Sequence, residues 1–398
     1  MNYLLFALSC ISLFMISLLI NSKENNIRPL ELLVRSISIY LLSVCLLSII
    51  FLLVGHYNIF FIISALAAIL IILLILRIKE WKHAFRFSHA TSEIKLFPAI
   101  LLFLVLMFPI LKERMEFVDM TGDAGVYSIS AIHYLKEGKL KDELELRNQL
   151  SEESRDIYDR DNLLWVDKSS NRGAFLPGTY FDPKHDSTYY FQFYPAWPLI
   201  MSFWAGIFGV NQLTGVMILL YYMILLLSFY LLINLGLKQC YAALGVLLLG
   251  SAPLLVYFTK YPTSELFLLF LFVLTLYMLS TRSTFGCVTA GLTVTLFCLA
   301  HISSFMYVPL LFLALVFGYK LKDRSLLIFS AIGFAGFLIS IPYGWKVSLS
   351  YFIDIYTSNF SAIFGDRYAM SLGLLSTLLM GAIGLVCSLI LFRKTLRV

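Results

Sequence analysis

Residues 213–236 read LTGVMILLYYMILLLSFYLLINLG, a stretch without a single Asp, Glu, Lys or Arg. A helix of about 20 apolar residues is long enough to cross the hydrocarbon core of a bilayer, which is roughly 30 Å thick. Ten other stretches of the chain have the same character. The eleven predicted transmembrane helices are residues 3–20, 32–54, 58–76, 95–111, 213–236, 240–258, 264–280, 284–300, 303–319, 325–344 and 370–392.

The composition of the whole chain agrees with this interpretation. Of its 398 residues, 60% are hydrophobic and only 14% are charged, and the mean hydropathy is +0.85. Soluble domains carry about 45–50% apolar and about 25% charged residues, so a soluble enzyme is excluded. Disordered chains have the opposite composition, and the strands of membrane β-barrels alternate in polarity. The sequence therefore predicts an all-α polytopic membrane protein with about eleven transmembrane helices.

Charged residues are divided unevenly along the chain. Residues 112–190 carry a net charge of −5, whereas the rest of the chain carries +11. Because Lys and Arg in short loops face the cytoplasm, the basic link at residues 77–95 predicts that the acidic insertion is extracytoplasmic. The stretch 195–209 is short for a span and contains two prolines, so we interpret it as an interfacial helix. We expect a multi-pass protein of the plasma membrane, which is the inner membrane in bacteria.

These features predict three parts of the chain. Residues 1–94 form an N-terminal extension of three membrane helices. Residues 95–344 form a core of seven helices that includes the extracytoplasmic loop 112–212. Residues 345–398 contain an outer loop and the final helix.

The acidic insertion begins with a candidate functional residue. Asp123 lies between two glycines, and an apolar periodicity of three to four residues then runs to Gly138. This pattern predicts a short helix with Asp123 at or near its N-cap, and capping alone would account for the Asp. The charge-rich stretch 139–172 is typical of a solvated helix or loop. Residues 174–198 are rich in aromatic residues and prolines, which is typical of an interfacial anchor or of a sugar-binding pocket.

Two further segments are predicted on the same side of the membrane. Residues 257–265 join two spans and contain Lys260 and Glu265. His301 lies in the middle of an apolar stretch, residues 284–319, that is too long for one span, and a polar group within lipid is unfavourable. We therefore expect an outward-facing turn at His301. These segments would meet the start of the insertion and the outer loop at residues 345–369 in a shared pocket.

Four short motifs give the chain a resemblance to a known superfamily. They are DAGVY at 123–127, YPAWPL at 194–199, KYPTSE at 260–265 and HISS at 301–304. In order and membrane side they resemble the GT-C integral-membrane glycosyltransferases, which include protein O-mannosyltransferases and aminoarabinose lipid A transferases. The resemblance implies a large first outer loop with juxtamembrane helices. It also implies transfer of a sugar from a polyprenyl-phosphate donor to an extracytoplasmic acceptor, with inversion.

The same resemblance assigns roles to individual residues. Asp123 would be the catalytic general base, and fixed positive charge on Lys260, His301, Lys184 or Arg367 would stabilise the leaving phosphate. Glu265 would orient Lys260 or bind a sugar hydroxyl. The full set of candidate substrate-binding residues is Asp119, Lys184, His185, Tyr194, Lys260, Glu265, His301 and Arg367.

The expected partners follow from the same hypothesis. They are the polyprenyl-phosphate sugar, a glycan, lipid or protein acceptor, and membrane lipids, with no nucleic acid. We expect no required cofactor and no metal ligands, because Asp119 and Asp123 alone are a small ligand set for a divalent cation. Three alternatives stay open, namely a polysaccharide polymerase or ligase, a lipid-sugar transporter and a non-catalytic assembly protein.

Overall fold

The computed structural model describes residues 2–21, 27–76, 97–113, 122–143, 145–155, 165–167, 172–176, 178–181, 188–349, 351–353 and 369–396. Four helices precede the insertion, namely α1 (Asn2–Asn21), α2 (Pro29–Leu53), α3 (Ile59–Leu76) and α4 (Phe97–Lys112). We use the term insertion for residues 112–212. The insertion contains α5 (Asp123–Glu137), the short α6 (Glu145–Gln149) and α7 (Ala196–Phe208).

The remaining helices follow the insertion. They are α8 (Val216–Asn234), α9 (Gln239–Gly250), α10 (Pro253–Lys260), α11 (Glu265–Ser280), α12 (Thr284–Ala300), α13 (Val308–Lys320), α14 (Arg324–Val347) and α15 (Ala369–Leu396). Two 3-10 helices, η1 (Val210–Gly215) and η2 (Ile302–Tyr307), lead directly into α8 and α13.

Within the described residues, seven helical segments are long and apolar enough to cross a membrane. They are α1, α2, α3, η1 with α8, η2 with α13, α14 and α15. The number becomes eight if α9 and α10 form one bent span. Helices α4, α11 and α12 coincide with predicted spans but have only 16 or 17 residues, a length of about 24–26 Å. An all-α polytopic membrane protein is thus confirmed, whereas the count of eleven spans stays a prediction.

The predicted span 240–258 is not one straight helix. Its two parts, α9 and α10, are bent by 56° relative to each other. Pro253 is the first residue of α10. At this position the backbone N–H has no partner within the helix, so the helix loses no hydrogen bond when the residue is proline. The second helix continues to Lys260, so Lys260 lies in a last helical turn and not in the loop where we expected it.

At one end of the helices, the insertion packs against the turn between α2 and α3 and against the segment after α14. The backbone N–H of Tyr57, between α2 and α3, donates to the carbonyl of Gly138 over 3.1 Å. After α14, the Ser348 hydroxyl donates to the carbonyl of Gln192. We call this end the insertion face; its described residues lie within 54–58, 122–212, 260–264, 301–307 and 345–353.

The other end of the helices forms an opposite face. Asn234, at the end of α8, donates from Nδ2 to Oγ of Ser280, at the end of α11, over 3.0 Å. The hydroxyls of Thr284 and Ser325 lie 3.0 Å apart at the starts of α12 and α14. Basic residues of the short loops lie on this opposite face, namely Lys238, Arg282, Lys320, Lys322 and Arg324. The alternation of the two faces along the chain agrees with the sidedness that the charges predict.

Part of the insertion folds into a five-stranded antiparallel sheet with the order β1-β5-β4-β3-β2. The strands are β1 (Lys141–Glu143), β2 (Trp165–Asp167), β3 (Arg172–Leu176), β4 (Thr179–Phe181) and β5 (Thr188–Phe191). Tyr180 and Tyr190 oppose each other across β4 and β5, with ring centroids 6.0 Å apart. The prediction of a solvated helix or loop over 139–172 is wrong for β1, β2 and the start of β3. Tyr and Thr on β5 and β4, which pair with β1 and β3, favour a pleated sheet.

The N-terminal helices pack into the core through a buried polar group near the opposite face. Arg35 of α2 pairs with Glu31 one turn earlier, with 2.9 Å between Nη2 and Oε1. The hydroxyl of Tyr277 on α11 donates to the same Glu31 oxygen over 2.7 Å and accepts a hydrogen bond from Nε of Arg35. Helices α2 and α11 are therefore joined by charged hydrogen bonds as well as by apolar packing.

Candidate functional site

Asp123 occupies the first position of α5 on the insertion face. The N-cap of this helix is Gly122, whose φ of 98° suits glycine, and no side chain caps the helix. The helix ends at Gly138 with a left-handed φ of 68°. The expected helix and both of its ends are thus present, but Asp123 is not the N-cap residue. Capping does not account for its carboxylate.

The carboxyl of Asp123 has a perturbed acidity. Partial burial raises the pKa of Asp123, and the neighbouring carboxylate of Glu265 raises it further. The first turn of a helix ordinarily favours a negative charge, so desolvation and like-charge repulsion outweigh that effect. Asp123 and Glu265 are only partly covered, so both residues remain accessible from the surface. A carboxylate with a raised pKa is a better proton acceptor near neutral pH than an ordinary one.

Glu265 reaches Asp123 from a different helix. It is the first residue of α11, following Ser264. The hydroxyl of Tyr127, one turn after Asp123 on α5, donates to Oγ of Ser264 over 3.2 Å. This contact joins the beginnings of α5 and α11 and brings Glu265 close enough to Asp123 to raise its pKa.

His301 lies between α12 and η2, where the predicted turn occurs. Its Nδ1 accepts the backbone N–H of Ser303 over 3.1 Å and therefore carries no proton, so the neutral ring is protonated at Nε2. Burial lowers the pKa of His301 more than the Glu265 carboxylate raises it. His301 is therefore neutral at pH 7 in the free protein and supplies no fixed positive charge there, while its contact with a substrate stays a prediction. It can instead donate a hydrogen bond from Nε2.

Tyr351 completes this group from the segment after α14. Its hydroxyl lies 3.4 Å from Nε2 of His301. Burial and the carboxylates of Asp123 and Glu265 raise the pKa of Tyr351 to about 12, so the phenol stays protonated and can donate. We call Asp123, Tyr127, Glu265, His301 and Tyr351 the Asp123 cluster.

Aromatic rings form the wall around the Asp123 cluster. Tyr127 stacks on Phe193 with centroids 4.6 Å apart, and Tyr351 meets both Phe193 and Tyr194 edge to face. Tyr194 is buried and also contacts Tyr343. Tyr194 therefore belongs to the wall behind Tyr351, which places the start of the YPAWPL motif at the cluster.

The cluster includes residues that the sequence did not single out as binding residues. Tyr127 follows Asp123 by four residues, a spacing that puts both on one helix face, so this signal was available. Tyr261 lies close enough for Asp123 and Glu265 to add to the burial effect that raises its pKa. Tyr351 lies in the outer loop 345–369 that we expected at the pocket, but its contact with His301 depends on the tertiary fold and has no local signal.

Lys260, a candidate residue within the described part of the chain, is not part of this group. Lys260 is half-buried, and among the described residues it makes no hydrogen bond or ion pair, with Glu265 or any other group. Asp119, Lys184, His185 and Arg367 lie outside the described residues.

The described part of the cluster is acidic. The groups that shift the pKa values of Asp123, His301 and Tyr351 include no Lys or Arg. In the part of the chain that the structure describes, no three His, Cys, Asp or Glu side chains gather as a metal site would require. What the described arrangement offers is two carboxylates, of which Asp123 has the raised pKa, and neutral donors on His301 and Tyr351.

Comparisons with models of protein families, with curated proteins and with solved structures found no match to this chain.

Proposed function

We propose that the chain is a membrane glycosyltransferase of the GT-C type, which moves a sugar from a polyprenyl-phosphate donor to an extracytoplasmic acceptor. One observation carries this proposal. The carboxyl of Asp123, in the first turn of α5 and with a raised pKa, lies within electrostatic reach of Glu265 and Tyr351, and the Tyr351 hydroxyl lies 3.4 Å from Nε2 of His301. Asp123, Glu265 and His301 come from segments in which the sequence resembles the superfamily, Tyr351 comes from the predicted outer loop 345–369, and the fold assembles them on one face.

The reaction follows from the chemistry of these groups. An acceptor hydroxyl attacks the anomeric carbon while its proton passes to the Asp123 carboxylate. The bond between the anomeric carbon and the phosphate oxygen breaks, and its electron pair leaves with the polyprenyl phosphate. Attack opposite to the leaving oxygen inverts the anomeric centre. A positioned base of this kind contributes about 10²–10⁴-fold to the rate.

The leaving phosphate needs hydrogen-bond donors and not a proton, because it departs as a stable anion. Nε2–H of His301 and the hydroxyl of Tyr351, which lie 3.4 Å apart, are the neutral donors of the Asp123 cluster. Donors held in place before the reaction stabilise developing charge with little reorganisation. Lys260, Lys184 and Arg367 remain the proposed source of positive charge, with Asp119 and His185 as further substrate contacts. The acceptor would be a glycan, a lipid or a protein.

The membrane arrangement supports the same proposal. Helix α7 begins at the insertion face, because Gln192, just before it, contacts Ser348 there. It also ends at this face, because α8, which follows it, runs from the insertion face to Asn234 on the opposite face. We therefore assign α7 as an interfacial helix and count α4, α11, α12 and the bent α9–α10 pair as spans, which gives eleven. The basic opposite face is then cytoplasmic by the positive-inside rule, and the Asp123 cluster is extracytoplasmic.

The bend between α9 and α10 bears on the transporter alternative. Transporters place ions or substrates at broken helices near the middle of the membrane. The break here contains only Ser251 and Ala252 between the two helices, with no ionisable side chain. The acidic groups of the Asp123 cluster lie instead at the helix ends, which favours chemistry at the membrane surface.

Deletion of the gene tests the proposal without knowledge of the acceptor. The deletion strain is complemented with wild type, Asp123→Asn or Asp142→Asn, and polyprenyl-phosphate sugars and surface glycans are measured by mass spectrometry. Asp142 is the matched control, because it lies in β1 of the same insertion. We expect the deletion and Asp123→Asn to accumulate one donor and lose one glycan, and Asp142→Asn to restore both. Unchanged profiles in the deletion strain would contradict the proposal.

A further inference from the structure

The turn between α2 and α3 contacts both insertion helices that carry the candidate site. Tyr57, in this turn, is only 5% exposed. Its backbone N–H donates to the carbonyl of Gly138 at the end of α5 over 3.1 Å. Its phenol donates to Oγ of Ser202 on α7 over 3.0 Å. One buried residue of the N-terminal helices thus holds two separate helices of the insertion.

The contact with α5 leaves no room for a side chain. A Cβ added to Gly138 would lie 2.7 Å from the Tyr57 carbonyl oxygen, and Gly138 has a positive φ of 68°. The close approach and the left-handed backbone both require glycine here. The end of α5 is therefore fixed against the turn by a backbone contact.

The contact with α7 is supported by a second one from α2. The thiol of Cys45, fully buried, lies 3.4 Å from the carbonyl of Ala196, the first residue of α7. Tyr194 and its contact with Tyr351 come two residues earlier. The N-terminal helices consequently fix α7 next to the wall of the Asp123 cluster.

Because α5 has 15 residues, Tyr57 lies about 22 Å along the helix axis from Asp123 and does not touch the reacting groups. We propose that Tyr57 is a positioning residue, through which the N-terminal three-helix unit sets the placement of Asp123 and Tyr194 by holding the far end of α5 and the middle of α7. This inference rests on the proposed function for its catalytic consequence. Its structural part, the coupling of the turn to α5 and α7, stands without that function.

Two variants test the two contacts, and each has a matched control. Gly138→Ala forces a methyl group against the Tyr57 carbonyl. Gly55→Ala places the same methyl group at another positive φ, 74°, in the same turn, where nothing lies within 4 Å. Tyr57→Phe removes the hydroxyl that binds Ser202, whereas Tyr230→Phe removes a fully buried hydroxyl that has no partner among the described residues.

Hydrogen–deuterium exchange of the protein in nanodiscs measures the coupling directly. We expect Gly138→Ala to accelerate exchange in α5, Tyr57→Phe to accelerate it in α7, and α11 and α12 to stay unchanged. Both controls should match wild type in α5 and α7. Equal exchange in each variant and its control would overturn the inference, whatever reaction the protein performs.

A transfer assay measures the catalytic consequence. It uses the polyprenyl-phosphate sugar extracted from the deletion strain as donor and membranes of that strain as acceptor. A misplacement of about 1 Å costs up to about 100-fold in rate, so we expect kcat of Gly138→Ala to fall about 10- to 100-fold. The KM for the donor should stay within about twofold, since an interaction made only in the transition state is lost. A rise in KM with kcat unchanged would reject the positioning role, whereas an inactive wild type would reject the proposed function and leave the exchange result standing.

Discussion

The carboxylate of Glu265 raises the pKa of Asp123 although the two residues head different helices, α11 and α5. Each carboxylate alone has an ordinary explanation, because acids are favourable in the first turn of a helix. Two such turns that converge are electrostatically unfavourable. The contact of Tyr127 with Ser264 holds the two helix ends together. The two acidic residues are therefore neighbours in one candidate site and not isolated residues at separate helix ends.

The pH dependence of transfer should report this relationship. A general base acts only when deprotonated, so the rate should rise with pH through the raised pKa of Asp123. Glu265→Gln removes the negative neighbour and should move this rising limb to lower pH. Glu137→Gln, which changes an exposed acid at the far end of α5, is the control. If the rising limb stays at the same pH in Glu265→Gln, the Glu265 carboxylate does not affect the pKa of the general base.

Asp123→Asn should be at least as stable as wild type. A carboxyl whose pKa is raised in the folded state stabilises the fold when protonated, and that stabilisation is lost as the pH rises through the folded pKa. Asn cannot ionise, so the variant should unfold at a higher temperature than wild type at pH 7, with the difference shrinking toward pH 4. Thermal unfolding in detergent measures both. A lower melting temperature at pH 7 would mean that the carboxylate is structurally required.

Two substitutions separate the structural and chemical roles of His301. Asn can still accept the N–H of Ser303 through its side chain, whereas Ala cannot. His301→Ala should therefore lose about 1 kcal/mol more stability than His301→Asn. Both lack Nε2–H and should lose transfer activity alike. Full activity in His301→Asn would mean that only the contact with Ser303 matters.

The buried group of Glu31, Arg35 and Tyr277 should show strong coupling. Arg35→Met leaves the Glu31 carboxylate buried without its cation, and breaking a buried pair in this way costs about 3–5 kcal/mol. The double variant Glu31→Gln with Arg35→Met removes both charges and should be less destabilised than Arg35→Met alone. Unfolding in detergent provides the comparison, and additive losses would show that the pair is not coupled.

The two ends of α14 test the membrane orientation. Lys322 and Lys346 are both exposed, on the opposite face and the insertion face respectively. In a cysteine-free background, Lys346→Cys should react with a membrane-impermeant maleimide on intact cells. Lys322→Cys should react only after permeabilisation. The reverse pattern would place the Asp123 cluster in the cytoplasm.

The sequence predicts the helices well because apolar runs report the solvent around them directly. It also locates α5, since Gly122, Asp123 and Gly138 are local signals of helix ends. The bend before Pro253 shows the limit of hydropathy, which stays high across a break in which the residues are still apolar. Residues 139–172 show another limit, because their charges concealed the strands β1 and β2, whose partners β5 and β3 come later in the chain.

The candidate site is less accessible to sequence reasoning. Asp123, Glu265 and His301 were found because each stands at a helix end on the predicted outer side. The charge state of His301 was not predicted, because its pKa depends on how deeply the tertiary fold buries the ring. The contacts of Tyr351 and Tyr57 depend on tertiary packing, for which neighbouring residues carry no signal.

The docking of Tyr57 against Gly138 has a consequence for the order of assembly. Helices α1 to α3 leave the ribosome before α5 and α7, and domains form from the N-terminus during synthesis. The turn that holds Tyr57 is therefore synthesised before the insertion, and α5 and α7 pack against helices that are already in place. Truncation of the first three helices would then give a chain that inserts into the membrane but matures slowly.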